Sequence, residues 1–547
     1  MEEEQKRQFL DPRYEESHDP FLLTDMRAAV ERVEKAFLGG EKITVYADYD
    51  ADAVTAAAVL LRFFEKIGYG DVDYYIPDRF TEGYGMNVEA MEVLKQRGTN
   101  LIITVDCGIN AFDSVVKARE LGIDVIITDH HQLTGGIPAA VAVVNPHRPD
   151  DVYPFKDLTG VGVAFKLVQA LTSVIASGAK QSRGKIASSL ASRNDITPGF
   201  EKWLLDLVAI GTVADCQSLL GENRIFVKWG MTVLGKSRWV GLRTLIAQAH
   251  VRIPVDTYQI GFVIAPRINA AGRLKSADTA LELLLTDDSE RAEKLADELD
   301  ALNLERQRYT DRIVSEAREQ ILAMGNQKIY LAAGEGWHKG VVGLVAGKLS
   351  EEFYRPVLVL GKEGGEATGS ARSIGSFNII QAISQSREIL TRYGGHPQAA
   401  GFSLREEHIE VFRQNLLLYA QDTLEETDLS PVLKYEAELL LPQINENLVD
   451  LIEKFEPFGV GNLKPRFRIN NLFVKNATMI GQQGKHLRLS VEGQNGTIGC
   501  IGFNLGFWAD KLREGERIDM ICEPQYNEWN GRRSIQLRIV DLQLSSQ

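Results

Sequence analysis

Short runs of β-branched and other apolar residues alternate with amphipathic stretches over the first third of the chain. Two amphipathic stretches, 53–67 and 88–97, repeat their apolar residues at helical spacing and end directly before a glycine, which is a typical helix stop. This alternation predicts a mostly parallel β-sheet covered by helices on both faces, with any ligand site at the carboxyl ends of its strands. The predicted strands are 43–47, 72–76, 101–105, 125–128 and 141–144.

The next part of the chain contains a change of composition and a long periodic segment. Residues 172–198 are rich in Ala, Ser, Gly, Lys and Arg and contain no aromatic residue, which predicts an inserted, mobile loop. From 287 to 324 apolar residues recur on one stripe among charged residues, and this pattern predicts a long amphipathic helix. We expect that helix to connect two lobes.

The remainder is predicted to hold a second α/β unit and an all-β region. Residues 329–424 contain the strand-like run 356–360 and a glycine-rich segment near 394. From about 431 the pattern alternates between apolar and polar residues, as in 487–491 and 534–539, and Asn-Gly pairs at 495 and 530 suggest hairpin turns. A small β-barrel of the OB kind fits this pattern.

Length and composition limit the class of protein. The chain has 547 residues, 44% of them hydrophobic, and single cores stop growing at roughly 250–300 residues, so three or four domains are expected. No stretch approaches the ~20 apolar residues of a membrane span, and the start is too polar for a signal peptide, which predicts a cytoplasmic protein with no membrane contact. The cysteines are far apart and are expected to be reduced thiols. They are Cys107, Cys216, Cys500 and Cys522.

The net charge leaves the substrate class open. A value of −14 argues mildly against nucleic-acid binding, because contact with phosphates is driven by clustered Lys and Arg. An enzyme that threads one strand, however, needs only a locally positive channel, and carboxylates gathered around divalent metals lower the total charge.

Acidic and imidazole side chains follow three of the predicted strands where each strand ends. The carboxyl ends of parallel strands meet at one edge of a sheet, so these side chains are expected to converge on one crevice. An aspartate that ends the apolar run 204–214 can join them. The residues are Asp48, Asp50, Asp52, Asp106, Asp129, His130, His131 and Asp215.

Such a cluster predicts divalent metal. Carboxylates packed together raise one another's pKa, and cations relieve that repulsion. Oxygen ligands favour Mg²⁺ or Mn²⁺, and imidazole shifts the preference toward Mn²⁺ or another transition metal. Two ions about 3.5–4 Å apart can hold the attacking and leaving oxygens of a displacement at phosphorus. The chemistry indicated is hydrolysis of a phosphodiester or pyrophosphate.

Each residue also has a structural explanation. A single aspartate after a strand is more often a helix N-cap, and Asp52 directly precedes the predicted helix 53–67. Paired histidines such as His130 and His131 are usually polar surface, and Gly108 fits a simple turn after Asp106. Three strand ends that all bear acid or imidazole within one predicted sheet favour a shared site.

These residues resemble the signature motifs of the DHH phosphoesterases in order and spacing. A later glycine-rich segment resembles the companion DHHA1 domain, and further segments resemble the RecJ family of exonucleases within this superfamily. One position departs from the pattern, because Ala53 stands where the family usually has glycine. The DHH motifs are Asp48-Tyr-Asp-Ala-Asp52 with Val54-Thr55, Val105-Asp106-Cys-Gly108, Asp129-His130-His131 and Gly211-Thr-Val-Ala-Asp215; the other segments are 394–401, 76–79, 82–85, 266–273, 337–340 and 370–373.

The resemblance implies an α/β protein in four parts. It places a parallel-sheet DHH catalytic domain at 1–235 with the insertion at 172–198, and a helical connector at 236–325. It then places a second α/β domain, DHHA1, at 326–428 and an OB-like nucleic-acid-binding β-barrel at 429–547.

The resemblance also implies roles for the clustered residues. Two ions, Mn²⁺ or Mg²⁺, are expected, with Asp106 as the bridge between them. His131 is expected to contact the scissile phosphate, and Asp48 and Asp129 to orient the ligands. The implied metal ligands are Asp50, Asp52, Asp106, His130 and Asp215.

Candidate contacts to the DNA backbone come from the matched segments. Arginine binds phosphate with two parallel hydrogen bonds, and the run around Gly394, Gly395 and His396 lacks bulk, so its backbone amides can approach a phosphate. A tight turn with close packing between helix and sheet explains that run equally well. Aromatic residues of 455–462 and 465–467 offer surfaces to bases or form an ordinary hinge. The other candidates are Arg79, Arg273, Ser370 and Arg372.

The function implied is degradation of single-stranded DNA from its 5′ end into 5′-mononucleotides, in repair and recombination. A single-stranded-DNA-binding protein and a helicase are the implied partners. Two alternatives remain: the same chemistry on short oligonucleotides, cyclic dinucleotides or pyrophosphate, and a non-catalytic replication scaffold. Nothing in the residues alone distinguishes DNA from RNA.

Overall fold

A computed structural model describes residues 3–79, 81–83, 85–181, 199–493 and 496–545. It contains an α/β region with a long series of helices, a second α/β region and a C-terminal β-barrel. The predicted fold class is confirmed. The domain boundaries stay a prediction.

The first sheet is parallel throughout its described strands. Its order is β2-β1-β3-β4-β5, and β1 and β3 are buried along their whole length because helices cover both faces. In the register, Ala47 pairs with Val105, Val105 with Thr128, and Thr128 with Val144. The residues that follow these strands therefore start at one edge. The strands are β1 (Ile43–Ala47), β2 (Val72–Tyr75), β3 (Leu101–Val105), β4 (Asp124–Thr128) and β5 (Ala142–Val144).

One hydrophobic core joins this sheet to helices far along the chain, from Tyr14 to Leu302. Helix α3 lies at its centre and packs against α6 and α7. The helices of this region are α1 (Glu3–Leu10), α2 (Met26–Gly39), α3 (Ala51–Lys66), α4 (Val88–Gln96), α5 (Phe112–Glu120), α6 (Gly160–Gln181), α7 (Leu205–Ala214), α8 (Gly221–Leu234), α9 (Val240–Gln248), α10 (Ala265–Leu274) and α11 (Asp278–Leu285).

The start of the predicted loop 172–198 is helical, so that part of the prediction is wrong. Helix α6 continues to Gln181, because Val174 and Ile175 pack against the core and the small residues around them are compatible with a helix. The remainder of that prediction, from 182 to 198, lies outside the described residues.

Among the described helices, α6 is the one that is long and apolar enough, by length and composition, to cross a membrane. The qualifying window is Gly160–Ser177, and 67% of it is buried inside the protein. Its apolar side chains pack against α3 and α7, so burial in the core accounts for its composition.

A 35-residue helix, α12 (Ser289–Ala323), connects the two α/β regions. Its N-terminal half contributes Leu295 and Leu299 to the first core. Its C-terminal half contributes Ile313 and Ala317 to a cluster with the second sheet. The predicted connecting helix is confirmed.

The second sheet is mixed, in the order β6-β7-β8-β10-β9. Strands β6 and β7 are parallel, and the pairs that follow are antiparallel. Its elements are β6 (Tyr330–Glu335), α13 (Val342–Phe353), β7 (Val357–Glu363), β8 (Glu366–Arg372), α14 (Ile379–Ser384), β9 (Leu390–His396), β10 (Ala399–Arg405) and α15 (Ile409–Thr423).

The last region is a closed barrel, because β12 pairs with β13 on one side and with β15 on the other. The predicted turn at Asn530-Gly531 is confirmed, since both residues have positive φ, as this two-residue hairpin requires. Asn495 lies outside the described residues. The elements are β11 (Ala437–Glu438), α16 (Glu446–Glu453), β12 (Phe467–Ile480), β13 (His486–Gly493), β14 (Gly496–Gly502), β15 (Arg517–Trp529) and β16 (Arg532–Leu544).

Candidate metal centre and phosphate site

The first motif turns from β1 into α3 at the edge of the sheet. Asp50, rather than Asp52, is the N-cap: its carboxylate accepts the backbone N–H groups of Asp52 and Ala53 at 3.0 and 3.1 Å. The N-cap explanation of Asp52 is therefore wrong. Ala53 lies in the first turn of α3, where a methyl group is compatible with the backbone.

Asp106 follows β3 in an unusual backbone conformation. Its φ is +60°, which aspartate adopts more readily than most residues, and its N–H donates to the carbonyl of Thr128 on β4 at 3.0 Å. The side chain is only 3% exposed. Its Oδ1 lies 3.0 Å from Nε2 of His130.

The two histidines have different environments. Nε2 of the buried His130 lies 3.7 Å from Asp215 and 4.0 Å from Asp52. Nδ1 of His131 lies 2.8 Å from Asp129. Asp129 also accepts the backbone N–H of Ile109 at 2.9 Å. Asp129 therefore fixes the His131 ring and the loop after β3.

The N-terminus of α6 completes the centre. Asp52 accepts the N–H groups of Gly160 and Val161 at 2.7 and 2.9 Å. A Cβ at Gly160 would lie 2.4 Å from Cβ of Asp106, and one at Gly211 would lie 2.8 Å from Oδ1 of Asp52. These two glycines are functional positions that the sequence analysis missed, although Gly211 lies in a matched motif.

Helix α10 supports the first motif from behind. Oδ1 of Asn269 accepts the N–H of Ala51 at 2.9 Å. A Cβ at Gly272 would lie 2.3 Å from the carbonyl oxygen of Tyr49, so glycine is required for this close approach. The matched segment 266–273 thus supports the turn between β1 and α3. It also contains Arg273, a candidate phosphate contact.

The ionisation of the cluster follows from burial and crowding. Burial and the neighbouring charges of Asp215 and Asp50 raise the pKa of Asp52 well above its usual range, and burial with the charges of Asp52 and Asp50 does the same to the pKa of Asp106. Burial and the charge of Asp50 raise the pKa of Asp215 to about 7 and that of Asp48 to about 8.

The other three titratable groups of the site are His130, His131 and Asp129, and only the pKa values of His131 and Asp129 shift in the direction opposite to the effect of burial. Burial and the charge of His131 lower the pKa of His130 to about 4, so that ring is neutral at neutral pH. Burial opposes the charge of His131, but the hydrogen bond to Asp129 and the surrounding carboxylates raise its pKa to about 9. Burial alone would raise the pKa of Asp129, yet the bond from His131 and both imidazoles lower it.

The donor set fits divalent cations. Potential ligand atoms of Asp106, His130 and His131 lie within 4.8 Å of one another, and so do those of Asp52, His130 and Asp215. Within the described residues, buried oxygens of Asp106 and Asp215 accept no hydrogen bond. Carboxylate oxygens with one imidazole are ligands that Mn²⁺ and Mg²⁺ accept. Asp50 lies close enough for its charge to act on Asp52 and Asp215.

Two arginines, Arg79 and Arg273, lie close enough to the acidic cluster for charges to interact, and Arg306 and Arg372 lie beside Arg273. Burial and the charges of Arg79, Arg306 and Arg372 lower the pKa of Arg273 to about 10, so these guanidinium groups are close together. Arg79 lies over the ring of Tyr49 in the first motif, 4.7 Å from its centroid. Within the described part of the chain, Arg273, Arg306 and Arg372 form no ion pair with a carboxylate. The sequence analysis missed Arg306, because its helical pattern does not separate it from solvated arginines.

Four of the five candidate residues of the second sheet share one face, and Gly395 lies on the other. Ser370 pairs with Gly401, which pairs with Gly394; Arg372 pairs with Ala399, which pairs with His396. The glycine-rich run is therefore an exposed edge hairpin. Packing between helix and sheet does not explain Gly394, since a Cβ there would meet nothing within 4 Å. Gly395 is required, because its φ is +143° and its Cβ would lie 2.4 Å from the carbonyl oxygen of Ala399.

The close approach of Gly160 to Asp106 gives a first prediction. Gly160→Ala places a methyl group where the Asp106 side chain lies, so Asp106 must move. We expect a 10- to 100-fold loss of Mn²⁺ affinity, roughly the effect of removing a group that orients a metal ligand. Calorimetric titration with Mn²⁺ measures it. Gly162→Ala is the matched control, since its nearest neighbour, Oγ1 of Thr159, is 3.2 Å away; equal affinities for the two variants would contradict the prediction.

The parallel sheet, with aspartates and the Asp-His-His triplet at its carboxyl edge, defines a phosphoesterase of the DHH class. Residues 42–212 match the DHH family, N-terminal domain; residues 325–422 match the DHHA1 domain; and residues 435–541 match the RecJ OB domain. The chain belongs to the RecJ family.

Relatives span nearly the whole chain. The single-stranded-DNA-specific exonuclease RecJ of Bacillus subtilis is 40% identical over 546 residues, 99% of this chain and 66% of that protein. The protein of the same name from Haemophilus influenzae is 32% identical, over 95% of this chain and 91% of its own. A crystal structure of Thermus thermophilus RecJ with Mn²⁺ has a TM-score of 0.83 at 30% identity, and covers 99% of this chain and 74% of that one.

Proposed function

We propose that this chain is a single-stranded-DNA-specific 5′-to-3′ exonuclease that releases 5′-mononucleotides by two-metal hydrolysis. One observation carries the proposal: a buried group of carboxylates and imidazoles lies beside a cluster of four arginines, of which Arg79 and Arg273 are near enough for charges to interact with it. Three of the four arginines have no carboxylate partner among the described residues. Metal ligands on one side and phosphate ligands on the other suit a phosphodiester with a terminal phosphate. The relatives are named as exonucleases that act on single-stranded DNA.

Five residues would hold two ions, Mn²⁺ or Mg²⁺, with Asp106 between them. When bound, such ions activate the attacking water and neutralise charge that builds on the phosphate. Asp106 suits the bridging position because its buried Oδ1 lies beside His130 and accepts no hydrogen bond within the described residues. The proposed ligands are Asp50, Asp52, Asp106, His130 and Asp215.

His131 donates to the scissile phosphate in this proposal. Its pKa of about 9 keeps the ring protonated at neutral pH, so it can neutralise a phosphate oxygen. Asp129 holds the ring in place through the 2.8 Å contact, and Asp48 supports the first motif from a buried position. Asp48 and Asp129 are therefore positioning residues.

The arginine cluster sets the direction of degradation. A 5′-terminal phosphate carries more charge than an internal phosphodiester, so it gains more from unpaired guanidinium groups. Arg79, Arg273 and Arg372 would bind it together with Ser370. Gly394, Gly395 and His396 would approach the backbone from the hairpin beside Arg372. A strand held by its 5′ end across the metal centre loses its 5′ nucleotide.

The setting we propose is DNA repair and recombination in the cytoplasm, where a single-stranded-DNA-binding protein and a helicase would supply the strand. The alternative of a non-catalytic scaffold is disfavoured because the buried acidic cluster lowers the stability of the fold. Buried like charges without a bound cation destabilise a fold, and a scaffold gains nothing from keeping them.

Labelled substrates test the proposal. Single-stranded DNA carrying a label at its 5′ or its 3′ end is incubated with Mn²⁺, alongside duplex DNA, single-stranded RNA and dinucleotides. We expect early release of the 5′ label as a mononucleotide, from single-stranded DNA alone. Early loss of the 3′ label, or cleavage of dinucleotides only, would overturn it.

Arg372 gives a second prediction. Arg372→Gln should weaken the preference for a 5′-phosphorylated strand over a 5′-hydroxyl strand by about tenfold or more, the effect of losing one charge-assisted pair. Rates on the two strands are compared by kcat/KM. Arg405→Gln, at the exposed end of β10, is the matched control. An unchanged preference would show that Arg372 does not contact the terminal phosphate.

A further inference from the structure

The two histidines of the metal centre lie just beyond the end of the sheet. The parallel register of β4 and β5 ends at the pair Thr128 and Val144. The rings of His130 and His131 nevertheless lie side by side, with centroids 4.6 Å apart and 56° between their planes. Neighbouring side chains of a strand point to opposite faces, so both rings can serve one site only where the backbone departs from a strand. The ladder of the sheet does not hold the backbone there.

Donors from the segment after β5 hold the carbonyl groups of both histidines. Nδ2 of Asn145 donates to the carbonyl of His131 at 3.0 Å. Nδ1 of His147 lies 2.6 Å from the carbonyl of His130, and because a carbonyl only accepts, this nitrogen carries the proton. Oδ1 of Asn145 accepts the backbone N–H of His147 at 2.7 Å. Asn145 therefore fixes the backbone of the second donor as well.

The segment that carries these donors is itself anchored. Asn145 is 0% exposed and Arg148 is 7% exposed. The guanidinium of Arg148 donates to the carbonyl of Val143 at 2.6 Å and pairs with Asp25 and Asp150. The N–H of Arg148 donates to the carbonyl of Asn145 at 3.2 Å and closes a turn. The two donors are thus held in place by contacts that do not involve the metal centre.

The bonds to these carbonyls bear directly on where the rings point. The peptide group is planar, so the backbone turns only about φ and ψ. The carbonyl of His130 belongs to the peptide that joins the two histidines, and turning it changes the direction of one ring relative to the other. Small changes matter here, because Nε2 of His130 lies 3.0 Å from Oδ1 of Asp106 and Nδ1 of His131 lies 2.8 Å from Asp129.

We propose that Asn145 and His147 are positioning residues of the metal centre. By holding the carbonyls of His131 and His130, they fix the ring of the proposed ligand His130 and the ring of His131 that would face the scissile phosphate. The inference rests on the proposed function, because it takes the roles of the two rings from there. Asn145 and His147 act only through the histidines and contact neither metal nor DNA in this assignment.

Two substitutions of His147 test the proposal. Leucine has no donor, whereas the amide nitrogen of asparagine is attached to Cγ, as imidazole Nδ1 is, and can donate to the same carbonyl. We expect His147→Leu to lower Mn²⁺ affinity about 10- to 100-fold, as for other groups that orient a metal ligand, and His147→Asn to keep most of it. Calorimetric titration measures both, and thermal unfolding in EDTA shows that the variants are folded. Wild-type affinity in His147→Leu, or equal losses in both variants, would overturn the proposal.

Asn145→Ala is an independent test with a matched control. Asn110 makes the same kind of bridge just past the histidines: it is exposed, donates to the carbonyl of Gln132 at 3.0 Å and accepts the N–H of Thr134 at 2.9 Å. Asn145→Ala should lower Mn²⁺ affinity about 10- to 100-fold, and Asn110→Ala should leave it unchanged. Equal affinities of these two variants would count against a role for Asn145.

Hydrolysis of single-stranded DNA separates positioning from binding of the strand. At saturating Mn²⁺, His147→Leu should lower kcat about tenfold or more and leave KM unchanged, because the proposed phosphate contacts lie at the arginine cluster. A raised KM with a normal kcat would overturn the proposal. A wild type that binds Mn²⁺ but cuts no single strand would overturn the proposed function, and the Mn²⁺ affinities would still decide the positioning roles. A wild type that binds no Mn²⁺ would overturn both.

Discussion

Asp106→Asn is expected to lower the rate of DNA hydrolysis at least about a thousandfold and to raise the thermal stability of the metal-free protein by a few degrees. Removing a group that only orients a metal ligand lowers metal affinity or activity about 10- to 100-fold, so replacing the residue proposed to bridge both ions should lower activity more. The gain in stability follows from electrostatics. Asn has nearly the same shape but removes one charge from a buried cluster whose members raise one another's pKa.

The two effects are measured separately. Single-turnover hydrolysis at saturating Mn²⁺ gives the loss of rate, and thermal unfolding in EDTA gives the change in stability. Asp113→Asn, an exposed aspartate at the start of α5, is the matched control and should alter neither. A variant that is inactive because it is destabilised would argue that Asp106 is structural, and near-normal turnover would remove it from the metal centre.

The position of the acidic residues could be predicted because a parallel sheet leaves little freedom. β1 and β3 are short, mostly apolar and wholly buried, so their boundaries are clear in the sequence. Once they pair in parallel, Asp48 and Asp106 must follow neighbouring strands at the same edge. The order of the motifs along the chain then indicates that His130 and Asp215 belong to the same site.

The parts that escaped prediction depend on contacts between distant elements. Nothing near Gly160 indicates that its missing side chain makes room for Asp106, because the two residues meet only after α6 packs on the sheet. Arg306 looks like any charged residue of a long helix, and only the folded structure brings it beside Arg273. A tight turn was one explanation of the glycine-rich run, but backbone pairing with β10 makes residues 394–396 part of a strand.

The fold also resolves the conflict between an acidic chain and an anionic substrate. The acidic excess of −14 includes the carboxylates of the metal centre, which bound cations would neutralise, and many surface residues that the strand does not meet. Beside the metal centre the local charge is positive, at Arg273 and its three arginine neighbours. Net charge therefore predicts little about binding here, because this cluster is small compared with the whole surface.

Binding of Mn²⁺ is expected to stabilise the protein by several degrees at pH 8 and by much less at pH 5.5. The carboxyl groups of Asp215 and Asp48 have pKa values of about 7 and about 8 in the folded protein, above the usual value near 4 of an unfolded chain. The folded state thus binds more protons, so the metal-free protein loses stability as pH rises from about 4 to about 8. Mn²⁺ replaces those protons, and it competes with them below pH 7.

Two histidines modify this dependence in opposite directions. The raised pKa of His131, about 9, gives stability that is complete below about pH 6.5 and is lost as pH rises to 9. The lowered pKa of His130, about 4, costs stability as pH falls below 6.5, because the unfolded imidazole takes up a proton that the folded one resists. Thermal unfolding from pH 5 to 8.5, with EDTA or with Mn²⁺, measures the whole effect. Since Asp215 and both histidines interact with Asp106, the Asp106→Asn variant should flatten the EDTA curve and lose most of the shift with Mn²⁺. A shift with Mn²⁺ of the same size at pH 5.5 and pH 8 would show that the cluster does not exchange protons for metal.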